Sequence, residues 1–270
     1  MAASLLVCVV GERGRGLDDD VLAGAAVLPR TGADIDATLR SHAAPHVVVL
    51  AERRDEALAL RLGAAMTDRG RSVAVRVLPH GPAAVLVLAL NAARLECDAG
   101  QVVGWLDAAA PRTWSGAWVP SVANLEDPAP SVAEHLRGYL PAGPGFVVGL
   151  AGHDGRAIVK ASAVPAPAGR EPRPHVFVTA ATSDAVARAL LGASGAANLA
   201  PLPFGADAAA RRFGHRAAVE GVALPADPLT LVPHVRETCR VCGAAVATAY
   251  CSFCRVRPVS LGSLVPGGAL

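Results

Sequence analysis

The chain opens on an apolar run, residues 4–10, that breaks off at Gly11-Glu12-Arg13-Gly14, and the same figure returns down the sequence. Short valine-rich runs bounded by Pro, Gly or charged residues alternate with longer stretches whose apolar residues recur at helical spacing. The pattern predicts strand 4–10, a short helix near 18–25, strand 25–28, helix 33–42, strand 46–51, helix 54–68, strand 72–78 and helix 82–95. Further on it predicts helices at 99–109 and 130–140 and a strand at 146–150. Strands that are apolar on both sides need a sheet covered on both faces, and their alternation with helices makes that sheet mostly parallel. The expected fold class is α/β, Rossmann-like.

The pattern also repeats at the level of residues. Pro45-His46-Val47-Val48-Val49-Leu50-Ala51-Glu52-Arg53-Arg54-Asp55 runs on to Leu62-Gly63-Ala64. Pro174-His175-Val176-Phe177-Val178-Thr179-Ala180-Ala181-Thr182-Ser183-Asp184 runs on to Leu191-Gly192-Ala193, a constant offset of 129 residues. Each copy leads into a Leu-Pro-x-Gly turn, Leu78-Pro79-His80-Gly81 and Leu202-Pro203-Phe204-Gly205. Asp55 and Asp184 fall where a carboxylate complements the positive end of a helix that follows a strand. An internal duplication is expected, with a first α/β half over 1–100 and a second over 146–230; chance identity in an alanine-rich chain is the competing reading. A crevice between two such halves is a natural ligand position.

Between the halves, residues 101–145 hold all three tryptophans, Trp105, Trp114 and Trp118, among six prolines. These rings either cover an edge of the core or mark a contact surface. Residues 165–174 read as a Pro-rich linker and 259–270 as a flexible tail.

Composition narrows the chemistry. Of 270 residues, 57 are alanine, and the 25 basic residues are 24 arginines and Lys160. A phosphate loop of the GxxxxGK[ST] type has no candidate, and a Schiff-base enzyme would have Lys160 alone. The formal net charge is only +2, no uncharged apolar run reaches the 18 or so residues of a membrane helix, and the first residues lack a basic leader. Cytoplasmic residence is the expectation.

The six cysteines carry the sharpest signal. Cys239-Arg240-Val241-Cys242 and Cys251-Ser252-Phe253-Cys254 are two CxxC pairs eight residues apart, joined by a stretch that can turn back as a hairpin. Four thiolates brought to one point suit a tetrahedral ion. Gly243 after the first pair fits the positive φ such knuckles demand. Residues 239–257 resemble the zinc-ribbon, or rubredoxin-knuckle, modules. The resemblance implies a C-terminal zinc ribbon over 236–258 with one structural Zn²⁺, iron being the runner-up metal. It implies nothing about the rest of the chain. Cys8, inside a predicted strand, reads as a small apolar residue. Residues 211–257 carry a local net charge of +4, which reads as a solvated or protein-docking rim; nucleic acid is not favoured, since stacking residues are scarce there.

Weaker signals complete the expectations. Gly11, Gly14 and Gly16 follow the first strand where a dinucleotide loop would lie, with Arg30 placed for a 2′-phosphate. Their spacing is GxxGxG, however, and Asp18-Asp19-Asp20 crowd the helix start, which equally describes a plain turn capped by Asp18. If an active site exists, loops at strand C-terminal ends nominate Glu52, His80 and His153. No GxSxG, HExxH or Cys/His motif is present. The sequence therefore predicts a zinc-ribbon-containing α/β accessory protein that binds a protein partner. Its alternative is an enzyme that holds a nucleotide or other anionic small molecule in the crevice.

Overall fold

The computed structural model describes residues 5–11, 17–22, 24–28, 43–139, 143–153, 157–164 and 172–257. Predicted helix 33–42, most of the 165–174 linker and the 259–270 tail lie outside these residues, as do Gly14, Gly16 and Arg30.

The amino-terminal half forms the parallel sheet that its valine runs predict. Strands β1 (Leu5–Val10), β2 (Ala25–Leu28), β3 (His46–Glu52) and β4 (Ser72–Leu78) lie in the order β2-β1-β3-β4, all parallel. Alternate residues enter different cores. Val7, Val9, Val48 and Leu50 face one layer, while Leu6, Cys8, Val47 and Val49 pack on Ala59, Leu62 and Met66 of α2 (Glu56–Asp68). The short helix after β1 is α1 (Asp19–Leu22), a single turn. Helix α3 (Pro82–Ala93) is apolar nearly all round, with Ala83 through Leu90 buried, because it packs on β1 and β3 of this sheet and on strand β10 (Val219–Ala223) of the next.

The second sheet has six strands in the order β7-β6-β5-β10-β8-β9. They are β5 (Trp114–Val119), β6 (Phe146–Ala151), β7 (Ile158–Lys160), β8 (Arg173–Val178), β9 (Ala196–Pro201) and β10 (Val219–Ala223). Only β8 and β9 pair parallel; the other pairs are antiparallel, so this sheet is mixed where sequence predicted mostly parallel pairing. Two separate cores cover its two faces, which leaves β5, β6 and β10 buried along nearly their whole length, as parallel strands are. The Trp/Pro-rich stretch supplies α4 (Ala99–Ala109), α5 (Val132–Gly138) and the central strand β5. Trp105 and Trp114 are each 1 % exposed and belong to the core.

The repeated sequence is a repeated structure. Strand-helix-strand units β3-α2-β4 and β8-α6-β9, with α6 at Asp184–Ser194, are both parallel crossovers. Each ends in a Leu-Pro-x-Gly turn whose glycine is the N-cap of the next helix, Gly81 for α3 and Gly205 for α7 (Ala206–Arg212). Gly205 has φ +98°, where only glycine is unstrained.

The carboxy-terminal segment closes the structure with a two-strand hairpin, β11 (Glu237–Thr238) and β12 (Ala245–Val246). It docks on α4. Asp98 caps α4 through Gly100 N–H (2.8 Å) and with the same Oδ1 accepts Ala245 N–H (2.6 Å). Trp105 Nε1 donates to the Pro228 carbonyl at 2.7 Å. A Cβ on Gly100 would collide with the Ala245 carbonyl, and one on Gly104 would come within 2.6 Å of Pro233. No helix among the described residues is long and apolar enough to cross a membrane.

The docking makes two glycines behave oppositely. Gly100→Ala is expected to lower stability by about 2 kcal/mol or more through forced separation of α4 from the hairpin. Gly11→Ala, with nothing within 4 Å of its Cβ, is expected to change it by less than about 0.5 kcal/mol. Urea unfolding of the two variants checks this; equal effects would contradict the packing.

Candidate functional site

The four cysteines converge as their spacing requires. Their Sγ atoms all lie within 4.8 Å of one another. Cys239 and Cys254 are 3.3 Å apart, Cys242 and Cys251 3.5 Å, and Cys242 and Cys254 3.9 Å. Gly243 N–H donates to the Cys239 carbonyl (2.8 Å), and Arg255 N–H to the Cys251 carbonyl (3.0 Å). The residue after each knuckle has positive φ, Gly243 at +74° and Arg255 at +59°. The set can hold a metal ion and forms a zinc-ribbon-like segment. It is not isolated: Cys239, Cys251 and Phe253 belong to the main core, and His46 at the start of β3 donates from Nε2 to the Cys242 carbonyl (2.9 Å) while its ring lies against Phe253.

A second site lies in the crevice between the sheets. The C-terminal ends of β1, β2 and β3, the first turns of α3 and the turn after β9 enclose a cavity of about 200 Å³. Val9, Val27, Val85, Leu86, Leu202 and Phe204 make its apolar wall, and Glu52, Arg54, Thr179 and Arg211 give polar atoms at its margin.

The wall is apolar because the polar backbone beneath it is already paired. Gly81 N–H donates to Ser115 Oγ at 3.0 Å; Pro82 has no N–H; Ala83 and Ala84 N–H donate to Glu220 Oε1 at 3.0 and 3.3 Å. Glu220 is fully buried in β10, and its Oε2 has no hydrogen-bond partner among the described residues. Burial pushes its carboxyl up to about 8; the Ala83 N–H opposes that shift and the nearby Glu52 carboxylate adds to it. At neutral pH Glu220 is therefore protonated. Gly81 is small because a Cβ there would collide with Glu220 Oε1.

A third, smaller cavity of about 130 Å³ adjoins the crevice, and Glu52 and Arg54 line both. Its walls bring together all three residues nominated from strand ends, Glu52, His80 and His153, with Arg212 and Asp127. Glu52 Oε1 accepts from Arg54 (2.7 Å), and its Oε2 lies 3.3 Å from Arg212 Nε. His80 is 2 % exposed, and Nε2 faces the carbonyls of Ala110 (3.0 Å) and Thr113 (3.3 Å). Carbonyls only accept, so Nε2 carries the proton and Nδ1 a lone pair. Burial pulls the His80 pKa down to about 4, against the pull of those two bonds.

Other expectations fare unevenly. Gly11 lines the crevice cavity. The helix beyond it is only one turn, and Asp18 Oδ1 already accepts Val21 N–H (2.9 Å), as a capped turn would. Cys8 is fully buried and its thiol is pushed up to about 12 by burial, in keeping with an apolar role. Glu220, Arg212, Thr179 and Phe204 were not singled out from sequence. The one signal available for Glu220 was an acid in an otherwise apolar strand, residues 219–223.

No protein-family model and no curated protein matches the chain. Solved structures of DegV family proteins share its fold. One from Corynebacterium glutamicum has TM-score 0.53 and 14 % identity over 83 % of this chain and 97 % of its own. One from Eubacterium eligens, loaded with heptadecanoic acid, has TM-score 0.53 and 10 % identity over 83 % of this chain and all of its own. A fatty acid binding DegV family protein from Streptococcus agalactiae has TM-score 0.52 and 11 % identity over 84 % of this chain and all of its own. These neighbours overturn the expectation of a zinc-ribbon accessory protein built around a protein partner. The likeness spans most of the chain and not the ribbon alone, and two of the three are described by a fatty acid.

The two buried titrations set a pH profile. Glu220 has a folded pKa of about 8 against 4.5 unfolded, so its contribution to stability is complete below 4.5 and is lost as pH rises to 8. His80, about 4 folded against 6.5 unfolded, contributes fully above 6.5 and loses its contribution as pH falls toward 4. Between 4.5 and 6.5 the two slopes oppose, and from 6.5 to 8 Glu220 acts alone of the pair. The urea midpoint is expected to drop between pH 6.5 and 8.5 in the native chain and to stay nearly level in Glu220→Gln, whose amide oxygen keeps the Ala83 and Ala84 bonds. The same drop in both proteins would contradict the assignment.

Proposed function

We propose that the protein binds a lipid with one long acyl chain, of the fatty acid kind, in the crevice between its two sheets, and that the four cysteines hold Zn²⁺. The observation that carries the lipid reading is the crevice wall. Valine, leucine and phenylalanine side chains from the parallel sheet, from α3 and from the turn after β9 line one cavity, and the backbone N–H groups behind them are consumed by Ser115 and Glu220. At about 200 Å³ the space is below the ~300–1,000 Å³ of pockets for drug-sized ligands, which suits a slender chain over a ring system. About ten buried methylenes contribute about 8 kcal/mol before the costs of association. The fatty acids named for the Eubacterium eligens and Streptococcus agalactiae proteins support the same class.

For the metal, tetrahedral zinc with Zn–S near ~2.3 Å places its sulfurs about 3.8 Å apart, and the three shortest Sγ separations here, 3.3, 3.5 and 3.9 Å, lie about that value. Four thiolates close the coordination sphere, so such an ion is structural; it supplies charge for the thiolates to converge on and no open position for a reactant.

Delipidated protein titrated with heptadecanoic acid in a calorimeter is expected to bind it with micromolar or tighter affinity. Ala208→Trp, which plugs the cavity from α7, is expected to weaken that at least tenfold. Absence of binding by the native chain would overturn the lipid reading. Elemental analysis is expected to give one zinc per chain, lost together with several degrees of Tm in the Cys242→Ser, Cys251→Ser double variant; zinc retained by that variant would refute the metal assignment.

A further inference from the structure

The crevice, at about 200 Å³, is small for a long acyl chain. Heptadecanoic acid, with which the Eubacterium eligens protein is loaded, carries about five methylenes beyond the ~ten that the crevice takes up. What adjoins the crevice decides whether the rest of such a chain is buried or left in water.

A further cavity of about 330 Å³ lies beside it. Ala206, the first residue of α7, belongs to the walls of both spaces. Just past β8, Thr179 lines the crevice while the next residue, Ala180, lines the further cavity. Small residues meet at this junction. Gly205 has no Cβ, and one placed there would stand 3.0 Å from Thr179 Cγ2.

The floor of the further cavity is hydrocarbon. Val186 of α6 and Ala218 and Val219 at the start of β10 are buried, and Trp118 of β5 is half-buried beside them. Trp118 Nε1 already donates to the Pro144 carbonyl (3.0 Å), so the indole has no polar demand left. Arg216 is the one charged side chain among the described wall residues, and it is exposed at the rim. An acid group seated here would have that arginine for a partner and would face Asp184 in the first turn of α6. A methyl end needs no partner.

We infer that the crevice and this cavity form one acyl path, in which the methyl end of the chain passes Ala206 and lies on Trp118, and that the further cavity sets the chain length the protein prefers. The inference rests on the acyl-chain reading of the crevice. Each methylene moved out of water raises affinity about fourfold. A path that continues past Ala206 makes affinity climb beyond about ten methylenes, and a path that ends there makes it level off.

The experiment is calorimetric titration of delipidated protein with dodecanoic acid, whose length matches the crevice, and with palmitic acid, on the native chain and on Ala217→Trp. Ala217 is an exposed wall residue of the further cavity and has no part in the crevice wall, so the indole fills one space only. The native chain is expected to bind palmitic acid at least twentyfold more tightly than dodecanoic acid. Ala217→Trp is expected to reduce that advantage to about threefold or less, with dodecanoic acid affinity and Tm unchanged. For the direction of the chain, 16-bromopalmitic acid is expected to quench tryptophan fluorescence more than 2-bromopalmitic acid, a difference that Trp118→Phe abolishes. Equal native affinity for the two lengths overturns the shared path, as does a palmitic acid advantage that survives in Ala217→Trp. Stronger quenching by the 2-bromo acid puts the acid end on Trp118 and overturns the assignment of the methyl end. Failure of both acids to bind overturns the acyl-chain reading itself, a separate result.

Discussion

The bond that the rest of the structure depends on joins Glu220 to the first turn of α3. A carboxyl from the mixed sheet accepts two N–H groups from a helix that lies against the parallel sheet. A helix N-terminus left open beside a cavity is a ready anion site. Here its donors are taken by a group that burial holds protonated. One side chain thus does two things: it ties the two sheets across the crevice, and it removes the feature that would have made the crevice attractive to phosphate. The apolar wall follows from that pairing, since side chains can be wholly hydrocarbon only where the backbone behind them is satisfied.

The ribbon is the second tie, and it acts on the same strand that reaches the crevice. β3 begins at His46, bonded to the Cys242 carbonyl and packed on Phe253, and ends at Glu52, which lines both cavities. Seven residues of buried parallel strand separate the knuckle from the site. Because Asp98 serves α4 and the hairpin with one oxygen, the cysteine-knuckle segment is fixed to the core by α4 as well as by β3. A module that spacing alone describes as self-contained is a buttress for the parallel sheet.

What sequence revealed and what it hid divides along physical lines. The β3-α2-β4 unit was readable because a buried parallel strand leaves a continuous run of valines, and the knuckles because a metal fixes ligand spacing over a few residues. The second sheet's antiparallel strands were not separable from parallel ones, since both of its faces are covered and the period-two alternation is erased. Glu52, His80 and His153 were reachable from the rule that ligands gather at strand C-terminal ends. Glu220 was not. Its meaning lies in two N–H groups 136 and 137 residues away, and no local pattern records such a pairing.

The recurring strand-helix-strand unit explains how one scaffold carries two kinds of space. Both strand-helix-strand units end in Leu-Pro-x-Gly, and in both the glycine caps the next helix. The variable residue of that turn points chemistry into the neighbouring cavity. In the second unit it is Phe204, part of the apolar crevice wall; in the first it is His80, which lines the smaller, more polar cavity. Equivalent backbone positions thus carry an apolar ring into one space and an imidazole to the wall of the other. The Glu52–Arg54 pair lines both spaces and marks where they adjoin.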